Sequence, residues 1–198
     1  MGEGGVTYPP VIALAGPAGA GKSTAAAYLA RQHGYTPLKF AAGLKAMMRV
    51  IGLTEAQIEG PLKEVPSKLL CGQTPRHAMQ TLGTEWGRNL IGTDFWANVW
   101  FDAAADVLDQ GGRVVVDDCR FENEAAKVRQ LGGIVVRLDG RGAGIGGDHP
   151  SEAGLQAADF VLDNSGSVAW LEHQLEARAS GLNVEDGRAS DGLLAPGI

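Results

Sequence analysis

The sequence predicts an α/β protein built on a parallel sheet, and three observations carry that prediction. Short apolar runs recur at Val11–Ala15 (VIALA), Arg113–Val116 (RVVV) and Ile134–Leu138 (IVVRL). Each has the length of a buried strand. Segments with helical spacing separate them, and the first run passes through a glycine-rich loop straight into a helix.

Taken in order, residues 1–10 form a flexible N-terminus. Val11–Ala15 is the first strand, stopped by Gly16. Ser23–His33 is Ala-rich and ends before Gly34, which makes it a helix with a C-terminal glycine. Pro37–Ala41 reads as a second strand. From there to Asp109 no strand is convincing, and helices are expected over 43–51, 54–59, 75–91 and 94–110. Strand character returns at Arg113–Val116, followed by a helix over Glu122–Leu131, a strand over Ile134–Leu138, a short strand over Phe160–Leu162 and a helix over Val168–Arg178. Residues 179–198 lack periodicity and read as a disordered tail. The helical stretch of about 43–110 is read as an insertion closing over a ligand at the carboxyl edge of the sheet.

Composition narrows the function. A net charge of −6 disfavours a protein that coats nucleic acid, which needs excess Lys and Arg. The two cysteines, Cys71 and Cys119, make no C-x-x-C pair and no disulfide framework, which suits a reducing cytoplasm. No signal peptide and no apolar run long enough to span a membrane are visible.

Gly16-Pro17-Ala18-Gly19-Ala20-Gly21-Lys22-Ser23 satisfies G-x-x-x-x-G-K-[ST] at every fixed position. Gly16, Gly19 and Gly21 let backbone N–H groups, including those of Ala18, Ala20 and Thr24, curl around phosphates. Lys22 brings a compact charge to the β- and γ-phosphates, and Ser23 offers its hydroxyl to Mg²⁺. Asp117 and Asp118 end the third strand, where a carboxylate would lie beside this loop and serve the metal. Strand alternation puts them on opposite faces and leaves open which one does so. Arg120 follows and is placed to clamp a phosphate.

Within the insertion, Arg76, Gln80, Thr84 and Arg88 recur every four residues and form one helical stripe. It is either an acceptor-binding face or a solvated one. Gly83 and Gly87 beside it signal a close approach, since mid-helix glycine costs roughly 1 kcal/mol. Trp96 and Trp100 read as core, and Asp94 as a helix cap. A lid is expected over about 139–152, flanked by Arg137 and Arg141 and closed by His149-Pro150-Ser151-Glu152.

The segments GPAGAGKST, TPRHAMQTLGTEWGRNLIGTDFWANVW, VVVDDCRFENEA and DHPSEAG, in that order, resemble the deoxynucleoside monophosphate kinases of tailed bacteriophages over about 11–178. The resemblance implies a P-loop kinase three-layer sandwich with a five-stranded parallel sheet, a helical acceptor-binding region and a lid. It implies transfer of the ATP γ-phosphoryl group, with Mg²⁺, to a deoxynucleoside monophosphate. By position it assigns Lys22 and Ser23 to the donor phosphates and metal, Arg76, Gln80, Arg88, Asp94 and Trp96 to the acceptor, and Arg120 with the segment to Glu124 to the acceptor and transfer site. With the readings above, the candidate catalytic residues are Lys22, Arg120, Asp117 and Asp118, and the candidate metal ligands Ser23, Asp117 and Asp118. The acceptor set also includes Lys45, Asn123 and Glu124, and the lid set is Arg137, Arg141, His149, Ser151 and Glu152. The competing readings are a kinase for dephospho-coenzyme A or a sugar acid, a regulatory P-loop ATPase, and a polynucleotide end kinase, which the acidic charge disfavours. A homodimer is compatible with the sequence but is not located by it.

Overall fold

The computed structural model describes residues 8–141, 155 and 158–179. Five strands form one sheet: β1 (Val11–Ala15), β2 (Tyr35–Pro37), β3 (Arg113–Val116), β4 (Ile134–Asp139) and β5 (Phe160–Asp163), in the spatial order β2-β3-β1-β4-β5. Every pairing is parallel, with Ile12 opposite Val115 on one side and Ile134 on the other. Parallel pairing requires a crossover between strands, and the crossover helices cover both faces.

One face buries Ala13, Val114, Val116 and Val135 beneath α5 (Phe95–Asp109) and α6 (Glu122–Gln130), with Trp100 at its centre. The other buries Leu14, Val115, Val136 and Leu138 beneath α1 (Lys22–His33) and α7 (Val168–Ala179). This double cover explains why β1 and β3 read as apolar runs without polar alternation. A third, smaller core lies in the insertion, where α2 (Ala42–Val50), α3 (Glu55–Ile58) and α4 (Pro75–Thr81) pack Leu44, Met48, Ile58 and Met79 around Trp96.

Two elements differ from the sequence reading. β2 is Tyr35–Pro37, earlier than the expected 37–41. The Leu38 N–H still bonds the Val115 carbonyl, but the N–H groups of Phe40 and Ala41 turn to the Asp118 carboxylate, so the chain leaves the sheet there. Phe40 is buried against the Trp100 ring, 4.3 Å between centroids, and this turn residue supplied the apolar signal mistaken for strand. The single helix expected over 75–91 is α-helical only to Thr81 and continues as a π-helix over Leu82–Ile91. Gly87 admits the Trp96 indole, whose Nε1 donates to the Gly83 carbonyl at 2.9 Å; a Cβ on Gly87 would lie 2.2 Å from that nitrogen. The close approach at Gly87 is therefore made by Trp96, while a Cβ on Gly83 would meet the end of Leu44 at 3.1 Å. Most of the expected lid, including His149, Ser151 and Glu152, and nearly all of the expected tail lie outside the described residues.

Candidate functional site

The loop after β1 sits at the centre of the sheet's carboxyl edge, between the ends of β3 and β4. Gly16 has φ +132° and a Cβ there would meet the Leu138 carbonyl at 2.5 Å, so no other residue fits. Lys22 folds back over the loop and donates to the carbonyls of Gly16 and Pro17, each at 2.7 Å. Partial burial, and then the nearby Arg120, lower the Lys22 pKa, while Asp117 and Asp118 oppose them. An ammonium held that way is short of counter-charge and favours an incoming anion. The N-terminus of α1 begins at the same place and adds its positive dipole end.

The paired aspartates after β3 have different tasks. Asp117 has the parity of Val115 and faces α1, where its Oδ2 accepts the Ser23 hydroxyl at 2.9 Å; its Oδ1 lies 3.2 Å from Lys39 Nζ. Although burial works the other way, Asp117 pulls the Lys39 pKa above its ordinary value. Asp118 points to the opposite side and caps the turn after β2, accepting from Phe40 N–H at 2.8 Å and Ala41 N–H at 3.1 Å. Burial raises its pKa. The sequence left open which of the two serves a metal; Asp117 stands beside Ser23, whereas the Asp118 carboxylate is taken up by the turn after β2.

A cleft of about 440 Å³ runs from Lys22 and Ser23 into the insertion. Arg76, Gln80, Thr84 and Arg88 all line it, so the stripe faces the cleft. Lys45, Trp96, Arg120 and Glu124 line it too. Trp96 is only 5 % exposed and contributes an edge of the core. Asp94 and Asn123 do not line the cleft. Asn123 Nδ2 donates to Asp94 Oδ1 at 2.8 Å and to the Thr93 carbonyl at 3.1 Å, a brace between the start of α5 and α6. Arg76 is paired with Glu64, and Lys45 with Glu59 at 2.5 Å.

Arg88 is the most constrained cation. Its guanidinium lies 3.8 Å from the Phe121 ring centroid and donates to Glu124 Oε1 at 2.8 Å. Glu124 Oε2 accepts the N–H groups of Arg120 and Phe121 at 2.8 and 3.2 Å. One carboxylate thus ties the π-helix to the loop that carries Arg120. Burial is the main cause pushing the Glu124 pKa up to about 7, against those hydrogen bonds and Arg88. The Arg120 side chain has no ion-pair or hydrogen-bond partner among the described residues.

Sequence reasoning missed Lys39, Lys63, Phe40 and Phe121 as cleft-lining residues. Lys63 sits in a 3₁₀ turn, Pro61–Glu64, a segment with no periodicity to flag it. Its pKa is lowered, first by burial and then by Lys45 and Arg76, and it has no ion-pair partner among the described residues. Of the expected lid cations, Arg137 lies at the end of β4 and pairs with Asp139 at 2.9 Å, while Arg141 donates to the Gly166 carbonyl. Neither lines the cleft.

A phosphate loop and three guanidinium groups, those of Arg76, Arg88 and Arg120, lining one cleft suit a kinase with an anionic acceptor. The profile of the deoxynucleotide monophosphate kinase family matches residues 73–175, the stretch that holds the arginine stripe, Asp117, Arg120 and Glu124. A mimivirus protein assigned to the deoxynucleotide monophosphate kinases (Acanthamoeba polyphaga mimivirus) is 32 % identical, over 83 % of this chain and 93 % of its own length. The chain belongs to the deoxynucleotide monophosphate kinase family. It is thus a phosphotransferase of the ATP-dependent nucleotide kinase class. One solved kinase matches the fold at low identity, and a second aligns less closely. The first, from Chloroflexus aurantiacus and described as a kinase, is 14 % identical with a TM-score of 0.51, covering 90 % of this chain and 100 % of its own. The Mycobacterium tuberculosis APS kinase is 13 % identical with a TM-score of 0.48, covering 86 % and 96 %. Among the described residues of this family member no helix is long and apolar enough to cross a membrane.

Proposed function

We propose that this kinase transfers the γ-phosphoryl group of ATP to a deoxynucleoside monophosphate, giving dNDP and ADP. The observation that carries the reading is the continuity of the cleft: Lys22 and Ser23 at one end, Arg88 and Arg120 facing the same space, and the stripe from Arg76 beyond them. The donor triphosphate occupies the loop, and the acceptor's phosphate occupies the space before Arg88 and Arg120.

In the reaction an anionic oxygen of the acceptor phosphate forms a bond to the γ-phosphorus, and the bond from that phosphorus to the β–γ bridging oxygen breaks in line. The negative charge passes to ADP. Lys22 exchanges the Gly16 and Pro17 carbonyls for the β- and γ-phosphates, and Arg88 and Arg120 neutralise charge on the acceptor and the transferring group. No general base is needed, because the attacking phosphate is already anionic. Ser23 and Asp117 are the oxygen donors that fit Mg²⁺, which takes few protein ligands and completes its shell with phosphates and water. When bound, such an ion would neutralise charge on the donor phosphates. The Lys22→Ala variant is expected to lose about a thousandfold in kcat while still folding cooperatively. The same reading puts the reaction in the cytoplasm, that of the host if the chain is phage-encoded.

The test is incubation with Mg-ATP and each dNMP separately, with ADP and dNDP separated by chromatography. Equal amounts of ADP and one or more dNDPs are expected. ADP alone would make the protein a hydrolase, and neither product would turn the search to other acceptors, beginning with dephospho-coenzyme A.

A further inference from the structure

Asn164, just past β5, is 3 % exposed and lies outside the cleft. Its side-chain Nδ2 donates to the carbonyl of Ala20 at 2.8 Å, reaching the phosphate loop from 144 positions away. A carbonyl can only accept, so the amide must present its NH₂ there. The backbone holds Asn164 in turn: its N–H donates to the Asp139 carbonyl at 2.7 Å, and Gln174 brackets the preceding Asp163 by accepting its N–H and donating to its carbonyl. The packing is close enough that a Cβ on Gly21 would meet Asn164 Nδ2 at 2.4 Å. The glycine at this point of the motif is therefore required by Asn164 as well as by its φ of +94°.

The consequence follows from peptide geometry. The Ala20–Gly21 peptide is planar and trans, so its C=O and N–H point in opposite directions. Fixing the Ala20 carbonyl toward β5 fixes the Gly21 N–H toward the other side of the loop. That N–H has no backbone acceptor among the described residues. A buried carbonyl without a donor would be costly, so removing the amide would favour rotation of this peptide.

We propose that Asn164 is a positioning residue of the phosphate loop: by holding the Ala20 carbonyl outward it aims the Gly21 N–H at the phosphates of the donor nucleotide. The proposal rests on donor binding at the loop and is independent of which acceptor is used.

The experiment compares the wild type with Asn164→Asp, measuring binding of a non-hydrolysable Mg-ATP analogue by calorimetry from pH 6 to 8, alongside thermal melting. At pH 8 the aspartate opposes the Ala20 carbonyl, and analogue affinity is expected to fall about tenfold or more, the loss of one well-made hydrogen bond. At pH 6 the carboxyl binds a proton, donates its O–H to Ala20 and restores most of the affinity. The charged groups on the surrounding elements, Lys22, Arg137, Asp139, Asp163, Glu172, His173 and Glu176, are common to both proteins, and the wild-type profile is the reference. Should the aspartate variant not fold, Asn164→Ser, whose hydroxyl is too short to reach Ala20, is expected to show the same loss at every pH. Wild-type affinity in either folded variant at pH 8, or an Asn164→Asp defect that does not shrink on acidification, overturns the proposal. A failure of every dNMP as acceptor bears on the proposed function alone, since the analogue reads the donor site without an acceptor.

Discussion

Arg88 reaches Glu124 across 2.8 Å, and this one contact joins the π-helix of the insertion to the loop that carries Arg120. The carboxylate it meets is 4 % exposed, which is unusual for a glutamate and costly when ionised.

That cost makes Glu124 a pH-sensitive element with two opposite signatures. Its folded pKa of about 7 exceeds its ordinary value of 4.5, so the folded state binds the proton more tightly than the unfolded chain. The sign follows: the contribution to stability is complete below the ordinary value and is lost as pH rises through about 7, amounting to about 3 kcal/mol. Arg88 needs the ionised form, so transfer activity is expected to rise over the same interval. Urea unfolding and kcat/KM measured from pH 5 to 8 should show stability falling while activity climbs. In Glu124→Gln the stability slope should vanish; an unchanged slope would remove Glu124 from the account.

The two aspartates after β3 should separate cleanly. Asp118→Ala leaves the N–H groups of Phe40 and Ala41 without an acceptor and is expected to cost about 2–4 kcal/mol in denaturant unfolding. Asp117→Asn keeps its shape beside Ser23 and should cost less than about 1 kcal/mol while raising the Mg²⁺ concentration needed for half-maximal transfer. The reverse ordering would exchange their roles.

Lys63 lines the cleft with its pKa lowered first by burial and then by Lys45 and Arg76, against Glu59 and Glu64, and an anionic ligand there would favour its charged form. Lys63→Met is expected to raise the KM for the acceptor about tenfold and leave the KM for ATP within about twofold. Initial-rate kinetics with both substrates varied distinguish the two; equal rises in both constants would make Lys63 a structural residue.

Gly87→Ala places a methyl 2.2 Å from Trp96 Nε1, where the indole cannot yield without losing its bond to Gly83. A loss of about 2–4 kcal/mol is expected, with a change in tryptophan fluorescence. At Gly83 the nearest atom is the end of Leu44, 3.1 Å away, and alanine there should cost less than about 1.5 kcal/mol.

What the sequence by itself determined is what is contiguous or periodic. The phosphate loop was legible because strand, glycines, Lys22 and Ser23 are adjacent in the chain, and β3 and β4 because burial on both faces concentrates their apolar residues in short runs. The stripe from Arg76 to Arg88 was legible as one face, since helical spacing brings every fourth residue into line. Tertiary structure alone decided the partners. It sent Asp117 to Ser23 and Asp118 to the turn after β2, because adjacent strand residues face opposite layers and only the packing of those layers assigns them. It used Trp96 to fill the space left by Gly87, and brought Asn164 from the end of β5 to the Ala20 carbonyl. No local pattern records such contacts, because each depends on the sheet order β2-β3-β1-β4-β5, which sets segments distant in the chain side by side.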